Sequence, residues 1–533
     1  MRCAPGLSLR LWWAILAVAI PGGNAGWCAD PTPVEHGMVR IAARRVVVGT
    51  TEAQRRELAN QFDCHPTWLN DDLARREVAL PAFWIDRHPV TNAEYLAFVE
   101  GGGGARPAWW GRWGGAFPSE YADHPVTGVS GKDAAAYAQW AGKRLPTADE
   151  WESAVGGPKP SVFAWGDTWP GPLRLQREAQ ISWDLPGTRS IGGGDCGHSA
   201  DGVEDFAGQV LQWVADVRPH HGVQFQLMKG ASWFHEDPVN FRTASGWYAY
   251  EGWSSAFTGF RCAVDGRREP PAVAKRVPKK AISAAAASRE IEMPFTDSPA
   301  SLVAAGGTSR HVTIRVPRFG REAFALSAPE TILWNGASVM QWFQTPDMSW
   351  TERSNRRAAY QMRFPSLRLD AEFVARGDSI EQRFTAENLT DTPATFRTSS
   401  CFNLQGHPMF YDSEQLRTYA LGADGRFLPM RRVMRGGDCV RWITGSSAGE
   451  LGRAPTGSLL AVVSRDGRRI IATGRGAGTG FSAATNTMFT CLHADSTVDV
   501  GPRARTTTRQ IFWVLDGTLE DLAQRFRREF SEK

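Results

Sequence analysis

The sequence is poor in cysteine: eight in 533 residues, none in a Cys-x-x-Cys pair. The spacing therefore gives no support for a structural zinc site. Charge of one sign is lacking too. Sixty Lys and Arg face 56 Asp and Glu, a net +4, and the basic residues do not gather on one motif. That argues against nucleic acid as the main partner, because a phosphate binder concentrates its charge. Long apolar runs are also scarce. The one at the N-terminus, Leu11 to Ile20, is too short to cross a bilayer of about 30 Å as a helix. Arg2 and Arg10 flank it, Pro21-Gly22-Gly23 breaks it, and Gly23-Asn24-Ala25 offers small residues for cleavage. Residues 1–25 are thus expected to be a signal peptide, with an uncleaved anchor as the alternative. The mature chain is expected to be secreted or periplasmic, with no membrane span. Seven cysteines then remain, an odd number whose pairing cannot be read from spacing.

Tryptophan, by contrast, is abundant: 22 residues, 14 of them between Trp68 and Trp253. In that half three segments open with a capping box: Thr91 with Glu94, Ser130 with Asp133, and Thr147 with Glu150. Short helices among long Gly-, Pro- and Trp-rich stretches predict a loop-rich α+β domain over 36–265. Residues 266–294, with Pro270-Pro271, Lys275-Arg276 and an Ala/Ser run, read as a solvated basic linker between separable domains. Beyond it the period becomes two. Val312, Ile314 and Val316 alternate, as do Leu367, Leu369, Ala371 and Phe373, which predicts a β-sandwich over 295–533. A helix starting at a Thr518–Asp521 box closes the chain.

The six ordered landmarks of the first half are Ala82-Phe83-Trp84-Ile85-Asp86 with Pro89-Val90-Thr91-Asn92, His124-Pro125-Val126, Gly142-Lys143-Arg144-Leu145-Pro146-Thr147-Ala148-Asp149-Glu150-Trp151-Glu152, Ala164-Trp165-Gly166, Lys229-Gly230-Ala231-Ser232-Trp233 and Gly259-Phe260-Arg261-Cys262. In order and spacing they resemble the formylglycine-generating enzyme (sulfatase-modifying factor) family. The resemblance implies a C-type-lectin-like fold. It also implies a Cu(I) site of two thiolates, two and seven residues after the Ser of the Lys-Gly-Gly-Ser stretch, used with O2 to oxidise a sulfatase cysteine. Here those positions are Phe234 and Val239, so no copper is expected, since Cu(I) prefers soft thiolate ligands. The resemblance further implies calcium at the segment Asp205 to Trp213. Asp205, Gly208, Val210 and Gln212 are its metal candidates, and the neutral Gln212 makes the expected site weak. A purely structural turn is the alternative there. The structural cysteine of the family is Cys262, whose usual partner position is Ala138. Iron-dependent relatives need a His-rich helical domain that the sequence does not display.

Ser232 and His235 are the candidate catalytic residues. Arg242 and Arg261 are further polar candidates, and a surface turn ending at Pro238 is the plainer account of His235. The second half loosely resembles a galactose-mutarotase-like supersandwich, with His407, His493, Asp495 and Glu387 as the acid–base types available. Gly474 to Gly480 reads as a turn and not a phosphate loop, and Asn388-Leu389-Thr390 is a glycosylation acceptor pattern. Two functions are expected: an exported protein without copper oxidase activity that binds extracellular glycan or protein, or an enzyme of changed chemistry acting on carbohydrate or as a divergent oxidase.

Overall fold

The structure, a computed structural model, describes residues 34–530 apart from 160, 172–184, 194–197, 221–222, 280–282, 284–299, 305–310, 320–322, 341–346, 405–406, 437–440, 445–456, 477–479 and 486–489. The expected signal peptide and most of the Ala/Ser run lie outside the described residues, as do Cys28, Cys196 and Cys439. Among the described residues no helix is long and apolar enough to cross a membrane, and Cys64, Cys262, Cys401 and Cys491 are buried thiols outside any disulfide.

All three expected capping boxes form, starting the helices Asn92–Glu100, Gly131–Trp140 and Ala148–Gly156. A fourth, Thr51 with Gln54, starts Glu52–Gln61. The helices surround two small sheets. In one, Phe83–Asp86 lies between Met38–Ile41 and Ala263–Asp265, so the two ends of the domain are hydrogen-bonded together. In the other, Leu211–His220 lies between Val223–Lys229 and Thr258–Phe260. The Trp-rich composition becomes a core: Tyr95 stacks on Tyr137 at 5.8 Å, and Trp110 and Phe260 meet them edge-on. Aromatic pairs of this kind add roughly 0.5–1.5 kcal/mol each beyond area burial.

The second half is two packed antiparallel sheets. Period-two alternation sends Phe324, Phe402 and Leu492 of one sheet against Leu369, Phe384 and Phe512 of the other, with Phe402 and Phe512 5.2 Å apart. The helix Leu519–Phe530, capped by Thr518 and Asp521, covers Trp513 on the outer face. Gly474 and Arg475 end the strand Arg469–Arg475 and are not a turn. The Asn388 amide is buried and donates to Thr392 O (2.7 Å) and Gly501 O (3.1 Å), so it cannot accept a glycan in the folded chain.

His407 is a buried group that acid must charge. Its Nε2 donates to Phe319 O (3.1 Å), and its ring stacks on Phe324. Burial lowers its pKa from 6.5 to about 4, because the imidazolium would sit against aromatic rings. A folded value below the unfolded one means that stability is intact above pH 6.5 and is lost as pH falls from 6.5 toward 4, by about 3 kcal/mol in all. Urea melts at several pH values should show this loss in the native chain and a flatter profile in His407→Gln.

The described part of the basic segment, 266–279, is mostly exposed, as expected of a linker, but it is pinned to the first domain, and the two halves also touch directly. Residues 270–276 run along the first domain: Arg276 N donates to Ala93 O (2.9 Å), and Arg276 pairs with Glu100 (2.8 Å). Leu58, Trp68, Leu69 and Val239 of the first half share one hydrophobic core with the sandwich. Proline and positive charge describe the segment's composition correctly, but they do not report the acidic helix end it lies against.

Candidate functional site

The segment that carries Ser232 and His235 follows the strand Val223–Lys229 through a sharp turn. Gly230 has φ +79°, and a Cβ there would meet Phe206 O at 2.5 Å, so only glycine fits. Lys229 just before it is fully buried, its ammonium paired with Glu152 at 2.7 Å. The turn then brings the Ser232 hydroxyl within 2.8 Å of His235 Nδ1, which also accepts from Ser232 N (3.1 Å). Nδ1 is therefore the unprotonated nitrogen. Both residues are buried, and His235 lies against Trp247 and Phe257. The turn expected at the surface is buried at His235 and Asp237, half-buried at Pro238 and exposed at Glu236.

What buries it is the sandwich. Phe234 stacks on Phe257 and packs against Tyr411, while the Arg465 guanidinium lies 3.9 Å above its ring and donates to Phe234 O (2.7 Å). Glu414 accepts from Glu236 N (2.9 Å), Asp237 N (3.1 Å) and the Asn240 amide. Arg417 forks onto Glu236 (3.0 Å), Arg465 also reaches Glu236, and Arg431 pairs with Asp237. Val239 belongs to the shared core. Burial, then Asp237 and Glu236, push the Glu414 carboxyl up. Arg242 turns the other way, onto Asp72 (2.6 Å). Phe234, Glu236, Asp237 and Val239 thus each have a named contact with the second half, while His235 faces Ser232, Trp247 and Phe257 of its own domain. No local pattern announced Glu414, Arg417, Arg431 or Arg465, because each meets its partner from a point in the chain about two hundred residues away.

The expected calcium turn is brought together but points elsewhere. Gly208 takes φ +84°, Val210 is buried, and Gln212 Nε2 donates to Asp205 O (3.0 Å). The Gln212 oxygen, however, accepts from Arg261 Nε (2.7 Å) and Trp151 Nε1 (2.8 Å). Arg261 is fully buried and also donates to the carbonyls of Asp86, Arg87, Glu204 and Asp205. A guanidinium thus stands among the oxygens a calcium ion would need, and these residues do not fit the ion. The Asp205 carboxylate faces away, onto His88 Nδ1 (2.8 Å) and Gly192 N (2.7 Å). Burial raises its pKa, but these donors and Arg261 outweigh that and hold it below the carboxylate range. Melts with and without millimolar calcium should coincide, for the native chain and for Gln212→Glu; a calcium-dependent rise in either would contradict this reading.

Other landmarks meet at the same framework. Asp86 joins Lys143 (2.7 Å) and Cys262 N (2.7 Å), and Arg144 forks onto Glu150. The four acid–base candidates of the second half do not converge. His407 is in the core, Glu387 pairs with Arg368 on one sheet, and His493 and Asp495 lie on the other. An open cleft of about 410 Å3 does lie in the first domain, lined in part by Gln54, Glu57, Arg75, Asp167 and Thr243.

The sulfatase-modifying factor enzyme 1-like domain model matches residues 28–266. A hercynine oxygenase of Mycolicibacterium smegmatis is 33% identical over 187 residues, 30% of this chain and 42% of that protein. The chain therefore spans less than half of that relative. A formylglycine-generating enzyme of Mycobacterium tuberculosis is 30% identical over 206 residues, 27% of this chain and 68% of that protein. Among solved structures, CarF aligns with TM-score 0.31 at 18% identity, over 44% of this chain and 98% of its own. A galactose mutarotase related enzyme from Lactobacillus acidophilus aligns with TM-score 0.26 at 7% identity, over 41% of this chain and 98% of its own. With its landmarks forming the framework of the first domain, the chain belongs to the formylglycine-generating enzyme (sulfatase-modifying factor) family.

Proposed function

We propose that this chain is an exported member of the family that has given up the copper oxidase reaction and binds an extracellular glycan. One observation carries the loss of the reaction. The positions of the two thiolates are Phe234 and Val239, and both lie under the sandwich. Neither side chain can ligate a metal, and the Arg465 cation above Phe234 is the wrong neighbour for Cu(I). Ser232 and His235 hold each other and the turn, so their role is positional. Glycan binding is supported by the first-domain cleft, whose volume falls within the roughly 300–1,000 Å3 of small-molecule sites. Its amide, hydroxyl and charged groups suit sugar hydroxyls. Export rests on the N-terminal run.

Purified protein should form no formylglycine on a sulfatase-derived cysteine peptide with Cu(I) and O2. Product formation that is lost on substitution near Ser232 would overturn the proposal. On a glycan array the native chain should retain a carbohydrate that Arg75→Ala or Asp167→Ala releases. An array that stays blank, or binding that both variants keep, would remove the glycan part.

A further inference from the structure

The sandwich carries a cluster that the proposed function does not use. On the strand pair Ala394–Asn403 and Thr490–Val500, Cys401 lies directly opposite His493, and Cys491 opposite Asn403. Phe402 and Leu492 point into the core, so the period of two turns Cys401, Cys491 and His493 to the outer face of that sheet. The two Sγ atoms and a ring nitrogen lie within 4.8 Å of one another. His493 Nε2 is 3.1 Å from Cys491 Sγ. At the other side of the ring, Nδ1 meets Ser399 Oγ at 3.0 Å and the Glu330 carboxylate at 3.3 Å. Glu330 reaches the ring from Ala323–Trp334, the strand beyond Ala394–Asn403, where the pairing between those two slips between Ser327 and Thr331. A register irregularity of this kind re-aims a side chain out of the regular pleat.

The arrangement has the parts of a metal site. Two sulfurs and one imidazole converge, and the imidazole is aimed. Ligating histidines usually donate the other ring N–H to a carboxylate or carbonyl, which fixes tautomer and orientation. Here Glu330 and Ser399 stand where that partner belongs. In a tetrahedral zinc site, bonds of about 2.3 Å to sulfur and 2.0 Å to nitrogen place ligand atoms about 3.5–3.8 Å apart. The three ligand atoms already lie within 4.8 Å of one another, about an ångström beyond that spacing at most. Cys401 and Cys491 are 7% and 5% exposed, so bulk water does not compete freely for the sulfurs.

We propose that Cys401, Cys491 and His493 bind a thiophilic divalent cation of the zinc class, with Glu330 as the residue that positions His493. The two thiols give up their protons to solvent on binding. His493 binds through Nε2 as the neutral imidazole, with the Nδ1 proton held by Glu330. Three protein ligands leave one position of the tetrahedron for water or another ligand. The site is independent of the first domain's lost thiolate pair.

The test uses the full chain, reduced and kept free of oxygen, with Co2+ as the probe and Zn2+ as competitor. One equivalent of Co2+ should give a thiolate-to-cobalt charge-transfer band and visible bands of tetrahedral intensity, and Zn2+ should abolish both. Cys401→Ser, Cys491→Ser and His493→Gln should lose the spectrum, and Cys64→Ser should keep it. Glu330→Gln should keep the band shape and weaken affinity by about 10–100-fold. Circular dichroism and thermal melting establish that each variant folds. Reduced, folded native chain without the charge-transfer band would overturn the proposal. So would a band that Cys401→Ser leaves intact, or a Cys401–Cys491 disulfide whose reduction gives thiols that bind no cobalt.

Discussion

Arg431→Ala is expected to cost about 3–5 kcal/mol and to loosen the sandwich from residues 232–242, because it leaves the buried Asp237 carboxylate without its cation. Arg431 does more than pair. It donates to Phe62 O (3.1 Å), and its own carbonyl accepts from His65 N (3.4 Å), so it ties the first domain's Phe62–His65 loop to the sandwich. The backbone bond survives the substitution, and the ion pair and the Phe62 contact do not. Denaturant melts should show the loss. The double variant Arg431→Ala/Asp237→Asn should recover part of it, because the stranded charge has gone. A loss under about 1 kcal/mol would place Asp237 in water and mean that the two halves do not pack as described.

The second large effect is at Arg261. Its guanidinium is fully buried, with burial lowering its pKa to about 10, and it donates to the Gln212 side chain and to four backbone carbonyls. Those carbonyls belong to Asp86, Arg87, Glu204 and Asp205, segments more than a hundred residues apart in the chain. Arg261→Met keeps the volume and removes all of these donors at once. Each stranded buried acceptor costs about 1–3 kcal/mol, so the first domain should fall below the stability needed to fold. Arg261→Lys should rescue little, since one ammonium cannot serve acceptors arranged around a planar fork. Soluble expression and near-ultraviolet circular dichroism check this. A folded Arg261→Met protein with native melting would contradict the structural role and return Arg261 to the functional candidates.

The elements legible in sequence are those specified by neighbours. A capping box needs residues three apart, and each box predicted from that spacing forms. Alternation needs residues two apart, and the strands containing Val312, Leu367 and Phe373 follow it. The six landmarks were legible as a set, and the structure explains their residue types: Asp86, Lys143 and Arg261 bond one another's segments. The fate of His235 was not legible. Its own neighbours, Glu236 and Asp237, look like an exposed acidic turn until Arg417, Arg431 and Arg465 arrive from the other half. The docking of the exposed basic segment was not legible for the same reason, since it depends on Ala93, Glu100 and Asp123. Cys401 and Cys491 are ninety residues apart and become neighbours only through strand pairing, so no spacing rule could join them.

Residues 232–242, where the family resemblance places the reaction, seat the sandwich in this chain. Hydrogen–deuterium exchange of the intact chain tests it most directly. Backbone amides of residues 232–242 should be protected to the same degree as those of the sandwich strands, since Glu236 N and Asp237 N are bonded to Glu414. In Glu414→Ala their exchange should rise together with that of residues 411–417, while the strand Phe83–Asp86 stays protected. Rapid exchange at 234–239 in the intact chain would contradict the account, because an open segment would be one that the second half does not cover.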